Sequence, residues 1–458
     1  MPRTARFRPA ENLEQWLGRV YPHAATAMLK SVSACDVVKE RSGFGQTVRP
    51  VPGSVVASPV LASYDPDPDY FFHWFRDSAI VIDAVRRLYE AEDLGAEALA
   101  CFADFVRFSL TLRSLDGRTL AATPQWRTKV APDFERFVRG KDLYEVAGDR
   151  VYADTRVNPD GTLDISRWSR PQHDGAPLRA LTVLRWLRAV QSARRGYALA
   201  AATLADAERL LRIDLALSAA QWRNPSVDIW EEELGSHYFT LRVAAAALRE
   251  GAEWLQGRGE TADAAALLAQ AHEIGAALDG FWLEDAGHYA SRVRSQDAAA
   301  TKLLDIAVLL SAIHADDGTE AHSPRDPRMH ATLAKLERLF DGLYAINRER
   351  PGGRAPAMGR YAGDVYYSGG AYYFSTLGAA EFCFLAAAAH PAGSEEREHW
   401  TAHGDEFLET VRAFTPESGA LSEQFDQRTG EQTSAKHLAW SYAALISCVA
   451  ARRAVLRP

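Results

Sequence analysis

Two acidic stretches lie far apart in the chain, each among large flat side chains, and their residue types suit acid–base chemistry on a sugar. One is Asp228-Ile229-Trp230-Glu231-Glu232-Glu233; the other is Leu421-Ser422-Glu423-Gln424, followed by Trp440 and Tyr442. A carboxylic acid can protonate a glycosidic oxygen while a second carboxylate takes a proton from water, and an indole covers the apolar C–H face of a pyranose ring. Three consecutive glutamates cannot all face one way. Their mutual repulsion is expected to raise the pKa of at least one, as a general acid requires. Spacing alone does not single out which one. The plain alternative is an acid-rich first helical turn favoured by the helix dipole, and Trp230 beside it fits that reading less well.

Further segments have the same character. In Asp69 to Ser78, which includes Tyr70, Phe72, His73 and Trp74, Arg76 and Asp77 offer a donor and an acceptor that could grip the hydroxyls of one sugar from both sides. A surface ion pair with an Asp near a helix start would leave the same pattern. In Arg167 to Gly175, Trp168 and Arg170 could reach a ligand, and Asp174 is expected to cap the following helix. His173 has no second histidine at ligand spacing, which argues against a metal there. In Gly359 to Gly370, Arg360 and Asp364 repeat the donor–acceptor theme, and Tyr366, Tyr367, Tyr372 and Tyr373 supply flat surface with hydroxyl tips or, alternatively, a packing seam. The stretch holding Glu423 continues to Ser434 and Trp440, and a polar loop with a solvated glutamate is its alternative. The region from Tyr289 to Ser295 has no comparable constellation.

These segments need a scaffold, and the scaffold reads as all-α. Apolar residues recur at helical spacing near 12–33, 76–92, 94–114, 175–195, 199–221, 237–256, 260–280, 298–314, 327–342, 369–390, 395–413 and 436–454. The connections near 62–75, 150–174, 222–236, 284–297, 343–368 and 414–435 each precede an even-numbered helix, and nearly all the Trp, acid and Arg clusters fall in them. Connections from odd to even helices are mostly long and the others mostly short. The asymmetry predicts two concentric rings of six helices, with every long loop at one end and the inner helices pointing their N-termini at a loop-built site. No fixed-period repeat or Gly/Ser linker divides the chain, so residues 1–458 read as one domain.

Composition narrows the function classes. With 52 Lys and Arg against 60 Asp and Glu, the net charge is −8 and no basic run occurs, so nucleic acid and anionic membrane are poor partners. No apolar run spans a bilayer, and the arginines near the N-terminus are not followed by an apolar stretch, so a cytoplasmic location is expected. Cys35, Cys101, Cys383 and Cys448 lack metal-ligand spacing and read as buried free thiols. Asp65, Asp67 and Asp69 alternate with prolines and make a poor calcium loop. No cofactor or metal is expected, and a monomer acting on a small-molecule oligosaccharide is favoured.

The segments taken together resemble the glucoamylase family, glycoside hydrolase family 15. The resemblance rests on Val55-Val56-Ala57-Ser58-Pro59 with Tyr70 to Ser78, Arg170-Pro171-Gln172-His173-Asp174-Gly175, Asp228 to Glu232, Gly359-Arg360-Tyr361 with Asp364 to Tyr367, and Leu421-Ser422-Glu423-Gln424. They follow the family's order over nearly the whole chain. The resemblance implies an (α/α)6 barrel and an exo-acting, inverting α-glucosidase. By it, Glu231 is the general acid and Glu423 the general base; Tyr70 and Ser434 orient the base and its water. Arg76, Asp77 and Arg360 hold the terminal glucose between Trp230 and Trp440, while Trp168, Glu232, Tyr366 and Tyr372 lie nearer the leaving sugar. It makes Asp228 a structural acid, and Trp74, Arg170 and Asp364 join the substrate-binding set. Phe72 stands where many members have tyrosine, and Tyr372 where fungal enzymes have tryptophan. No starch-binding module is evident, which points to soluble oligosaccharides linked α-1,4 or α-1,6. A trehalase, a disaccharide phosphorylase or a non-catalytic glucan-binding protein on the same barrel are the rival readings.

Overall fold

The helices divide by how much of their circumference is buried. The computed structural model describes residues 11–63, 66–192, 198–293, 302–350 and 352–457. Its α-helices are α1 Leu13–Leu29, α2 Phe75–Glu90, α3 Ala96–Thr111, α4 Gly117–Ala122, α5 Gly175–Ser192, α6 Ala201–Gln221, α7 Tyr238–Gln256, α8 Thr261–Asp279, α9 Ala307–His314, α10 Pro327–Leu343, α11 Tyr373–Ala388, α12 Glu395–Phe414 and α13 Ala439–Leu456. Helices α2, α5, α7, α9, α11 and α13 are buried nearly all round, as in Ala244 to Leu248 of α7 and Phe374 to Phe384 of α11. Apolar residues on every side mean a helix that never faces water. Each of these six packs against the next, α2 on α5, α5 on α7, α7 on α9, α9 on α11, α11 on α13 and α13 back on α2, which closes the ring.

The remaining long helices form the outer layer: α1 lies on α13, α3 on α2, α6 on α5, α8 on α7, α10 on α9 and α12 on α11. They carry one apolar stripe. In α10 it is Met329, Thr332, Leu333, Leu336 and Phe340, at the three-and-four spacing of an amphipathic helix. Helix starts follow local chemistry: Asp326 caps α10 ahead of Pro327, and Ser394 caps α12 ahead of Glu395, Glu396 and Glu398. The architecture is the expected (α/α)6 barrel. Among the described residues no helix is long and apolar enough to cross a membrane.

Several local expectations change. The helix expected over 298–314 begins only at Ala307; residues 294–301 lie outside the described residues, and Leu303 to Ile306 is not helical. The Asp305 carboxylate accepts from Ala307 N at 2.7 Å, and Ile306 N donates to Arg360 O at 2.9 Å, so this strip is tied across to another loop. The helix expected from 369 starts at Tyr373, after Gly369 and Gly370, both with positive φ. The tail of the helix expected to 195 falls outside the described residues. Residues 112–154, given no element from sequence beyond the end of the preceding helix, form α4 and short 3₁₀ pieces over their own apolar clusters. All four cysteines are free, but Cys35 and Cys101 are half-buried rather than buried. Asp67 pairs with Lys436 and Asp69 with Arg41, while Asp65 lies outside the described residues.

Candidate active site

A cavity of about 520 Å³ sits where the inner helices begin, above the packed interior of the ring. Its lining includes Tyr70, Trp74, Arg76, Asp77, Trp168, Trp230, Glu231, Glu232, Arg360, Tyr366, Glu423 and Trp440. Every one of these belongs to a connection entering an inner helix or to that helix's first turn, which is the position the loop asymmetry predicts.

The acid-rich stretch is a tight turn built around Asp228. Its carboxylate accepts from the amides of Glu232 at 2.7 Å and Glu233 at 3.0 Å, and Gln172 Nε2 donates to the Asp228 carbonyl at 3.0 Å. Ser226–Val227 pairs with Leu234–Gly235 to close the stem. Glu231, at the apex, has φ 65°, a left-handed conformation that side-chain-bearing residues adopt only where the surroundings hold them. The Glu231 carboxylate accepts from Trp74 Nε1 at 2.7 Å, from Arg76 Nη2 at 3.2 Å and, on its other oxygen, from Trp168 Nε1. Ser169 Oγ donates to its carbonyl at 2.6 Å. The three glutamates do not confront one another. Glu232 meets Lys302, Arg360 and Tyr361, and Glu233 meets Arg292 and Lys302, so each anion has its own cation and the expected mutual repulsion is relieved locally.

Glu423 is not on a polar loop. It lies in a hairpin of strands Ser422–Phe425 and Gln432–Lys436, buried at 8% exposure. The ladder is irregular between Thr433 and Lys436, and Ser434, with φ 63°, turns its hydroxyl onto Glu423 Oε2. Tyr70 Oη donates to Oε1 at 3.3 Å and lies 2.8 Å from Tyr366 Oη. Burial raises the Glu423 carboxyl to about 7, while the Ser434 hydroxyl, Arg360 and Tyr70 pull the other way.

Between the two carboxylates lie the side chains suited to hydroxyl recognition. Burial disfavours the Arg76 charge, yet Asp77, Asp174 and Glu231 more than offset it and keep the guanidinium charged. Burial raises the Asp77 carboxyl to about 6 against the pull of Arg76. Asp174 spends its carboxylate on Arg76 at 3.3 Å rather than on a helix cap. Arg360 is gripped by both oxygens of buried Asp364, which also accepts from Tyr372 Oη at 2.9 Å. The apolar wall is a stack: Trp440 lies on Phe374, centroids 4.4 Å apart and nearly parallel, and Phe374 on Trp230. Trp230 Nε1 donates to buried Asp305 at 2.8 Å.

The sequence-predicted set is therefore largely gathered into one cavity, with four residues one layer behind it. Ser434 acts on Glu423; Asp364 and Tyr372 hold Arg360 rather than line the cavity; Arg170 turns its guanidinium onto Asp154 and Asp164. Sequence reasoning missed Phe374, Ser169, Lys302 and Asp305. The Tyr372-Tyr373-Phe374 run signals the first; Lys302 and Asp305 have partners about seventy positions away, a separation no local pattern reveals. Among the described residues no cluster of three or more His, Cys, Asp or Glu side chains is arranged for a metal ion.

Comparison with known proteins places this geometry in context. Residues 42–111 and 155–450 match the family model described as Glycosyl hydrolases family 15. A glucoamylase of Neurospora crassa is 28% identical over 450 residues, covering 89% of this chain and 64% of that protein. The probable glucoamylase of Schizosaccharomyces pombe is 27% identical, covering 88% and 86%. Of solved structures, Hormoconis resinae glucoamylase superposes with a TM-score of 0.75 at 25% identity, covering 97% of this chain and 74% of that one. Glucoamylase from Saccharomycopsis fibuligera has a TM-score of 0.79 at 21% identity, covering 97% and 96%, which speaks for the fold.

Proposed function

The chain belongs to glycosyl hydrolases family 15, and on that premise we propose that it is an exo-acting, inverting α-glucosidase of the glucoamylase kind. It releases β-D-glucose from the non-reducing ends of soluble oligosaccharides linked α-1,4 or α-1,6. The observation that carries the reading is one cavity lined by two carboxylates, Glu231 and Glu423, in contrasting surroundings. Glu231 gives its proton to the glycosidic oxygen, and the N–H donors of Trp74, Trp168 and Arg76 fix where its two oxygens stand. Glu423 takes a proton from water attacking the opposite face of C1, with Ser434 and Tyr70 fixing its carboxylate. Inversion calls for about 6.5–9.5 Å between the two carboxyls, room for that water. Arg76, Asp77 and Arg360 bind the sugar hydroxyls, and Trp440 and Trp230 cover its apolar faces.

The test is product analysis on maltotetraose in phosphate-free buffer. Glucose and maltotriose as the first products support the reading. Dependence on added phosphate would favour a phosphorylase, maltose as the first product would end the assignment of glucose release one unit at a time, and binding without turnover would favour a glucan-binding protein.

A further inference from the structure

Behind the acid side of the cavity runs a chain of buried charges whose far end lies in a part of the sequence that the family model leaves unmatched. Arg139 holds Asp154 through two bonds, at 2.9 and 3.0 Å; Asp154 forms an ion pair with Arg170, Oδ1 to Nε 2.8 Å; Arg170 Nη2 reaches Asp164 at 3.0 Å; and Asp164 accepts Arg156 Nε at 2.9 Å. All five side chains are at most 8% exposed. Arg139 and Asp154 fall in residues 112–154, between the two matched stretches. The chain ends under the indoles that hold Glu231. The Arg156 guanidinium carbon lies 3.6 Å from the Trp168 ring centroid, 4.6 Å from that of Trp74 and 4.0 Å from that of Phe72. Its backbone also pairs with Trp74 in the short ladder of His73–Trp74 and Arg156–Val157. Arg156 Nη1 is buried with no hydrogen-bond acceptor among the described residues, so the ring faces are its principal partners on that side.

From this arrangement we propose that Arg156 is a positioning residue for the general acid. It fixes Trp74 and Trp168, whose N–H groups hold the two oxygens of Glu231, and the Asp164–Arg170–Asp154–Arg139 chain anchors it to the 112–154 segment. Trp168 is the reason an anchor is needed. It is 37% exposed, and a loop indole with that much freedom aims its N–H only if something holds its ring. A cation buried against that ring does so directly, and the ion chain keeps the cation in place. The inference rests on Glu231 being the acid, as proposed above.

The test compares two substrates. Maltose needs a proton on its leaving oxygen, whereas α-D-glucosyl fluoride releases fluoride without one. Arg156→Met keeps most of the volume and removes the charge and the ion pair. It is expected to lower kcat on maltose by about 10²-fold, the scale of a roughly 1 Å misplacement, with a much smaller loss on the fluoride and little change in KM. Arg156→Lys should recover part of the loss. If Arg156→Met fails to fold, Arg170→Met, further from the rings, should give the same selective pattern at smaller amplitude. Equal losses on both substrates, or none on maltose, would overturn the positioning role. Glu231→Gln measured alongside separates the two claims. If it shows the maltose-selective loss and the Arg156 variants do not, only the present inference falls. If it loses both substrates equally, the acid assignment fails and the positioning role with it.

Discussion

The two sides of the cavity hold their carboxylates by different chemistry. Glu231 stands on a strained turn and is held by groups that can only donate, two indole N–H and a guanidinium. Glu423 stands on a hairpin strand and is held by two hydroxyls, Ser434 and Tyr70, which can donate or accept. Donor-only partners fix where the two oxygens of Glu231 stand. Hydroxyl partners can follow the group through both protonation states without leaving a buried lone pair or proton unmatched. In the proposed mechanism, two like residues are told apart by what surrounds each, with the fold supplying N–H groups on one wall and O–H groups on the other.

That contrast can be broken at several levels. The largest effect is expected from the carboxyls themselves: Glu231→Gln and Glu423→Gln should each lower kcat on maltose by about 10³-fold or more, with the far-UV circular dichroism unchanged. Near-wild-type turnover in either would remove that residue from the chemistry. Next, Trp74→Phe deletes one N–H donor on the acid side and should cost about 10²-fold in kcat, read from initial rates at saturating maltose. On the base side Ser434→Ala should cost less, about 10-fold, because Tyr70 remains.

The same variant tests the pH dependence. Burial raises Glu423 to about 7, and a base works only once it has lost its own proton, so kcat/KM should fall as pH drops through about 7. Ser434 holds the carboxylate form, so its removal should move this limb to higher pH. A limb that stays in place would show that Glu423 does not govern it.

The smallest effect concerns the barrel wall shared by both sides. His403 on α12 lies 3.0 Å from Glu337 on α10 and 2.9 Å from Glu406. Burial lowers its pKa, but these two carboxylates outweigh that and raise it to about 9. The folded value is above the ordinary 6.5, so the stabilisation is full below about 6.5 and is lost as pH rises through about 9. His403→Gln should lower Tm by a few degrees at pH 6 and by less at pH 9.5, with no change in the substrate profile of either side.

How much of this the sequence carried differs between scaffold and site. The twelve-helix scheme and the division of long and short connections were legible because striped outer helices leave a 3.6-residue period and buried inner ones leave long apolar runs between polar connections. The gathering of Arg76, Asp77, Trp230, Glu231, Arg360, Glu423 and Trp440 was legible from motifs at helix entrances. What stayed hidden depended on short strands and on pairing between distant loops. The hairpin under Glu423 has strands of four and five residues, too short for alternation to stand out. The start of α9 was misplaced because the bond from Ala307 N to the Asp305 carboxylate and the tie to Arg360 act against a run that looks helical by spacing alone. The inward-facing expectation for Arg170 overlooked Asp154 and Asp164, which claim its guanidinium.

The central claim, an acid and a base working on opposite faces of one sugar, is tested most directly by the configuration of the glucose released. Proton NMR of maltose and isomaltose hydrolysis, followed from the first minute, reads the anomeric signals before mutarotation mixes them. The account predicts β-glucose ahead of the equilibrium ratio. Glucose appearing first as the α-anomer would mean retention and would contradict the division of roles between Glu231 and Glu423.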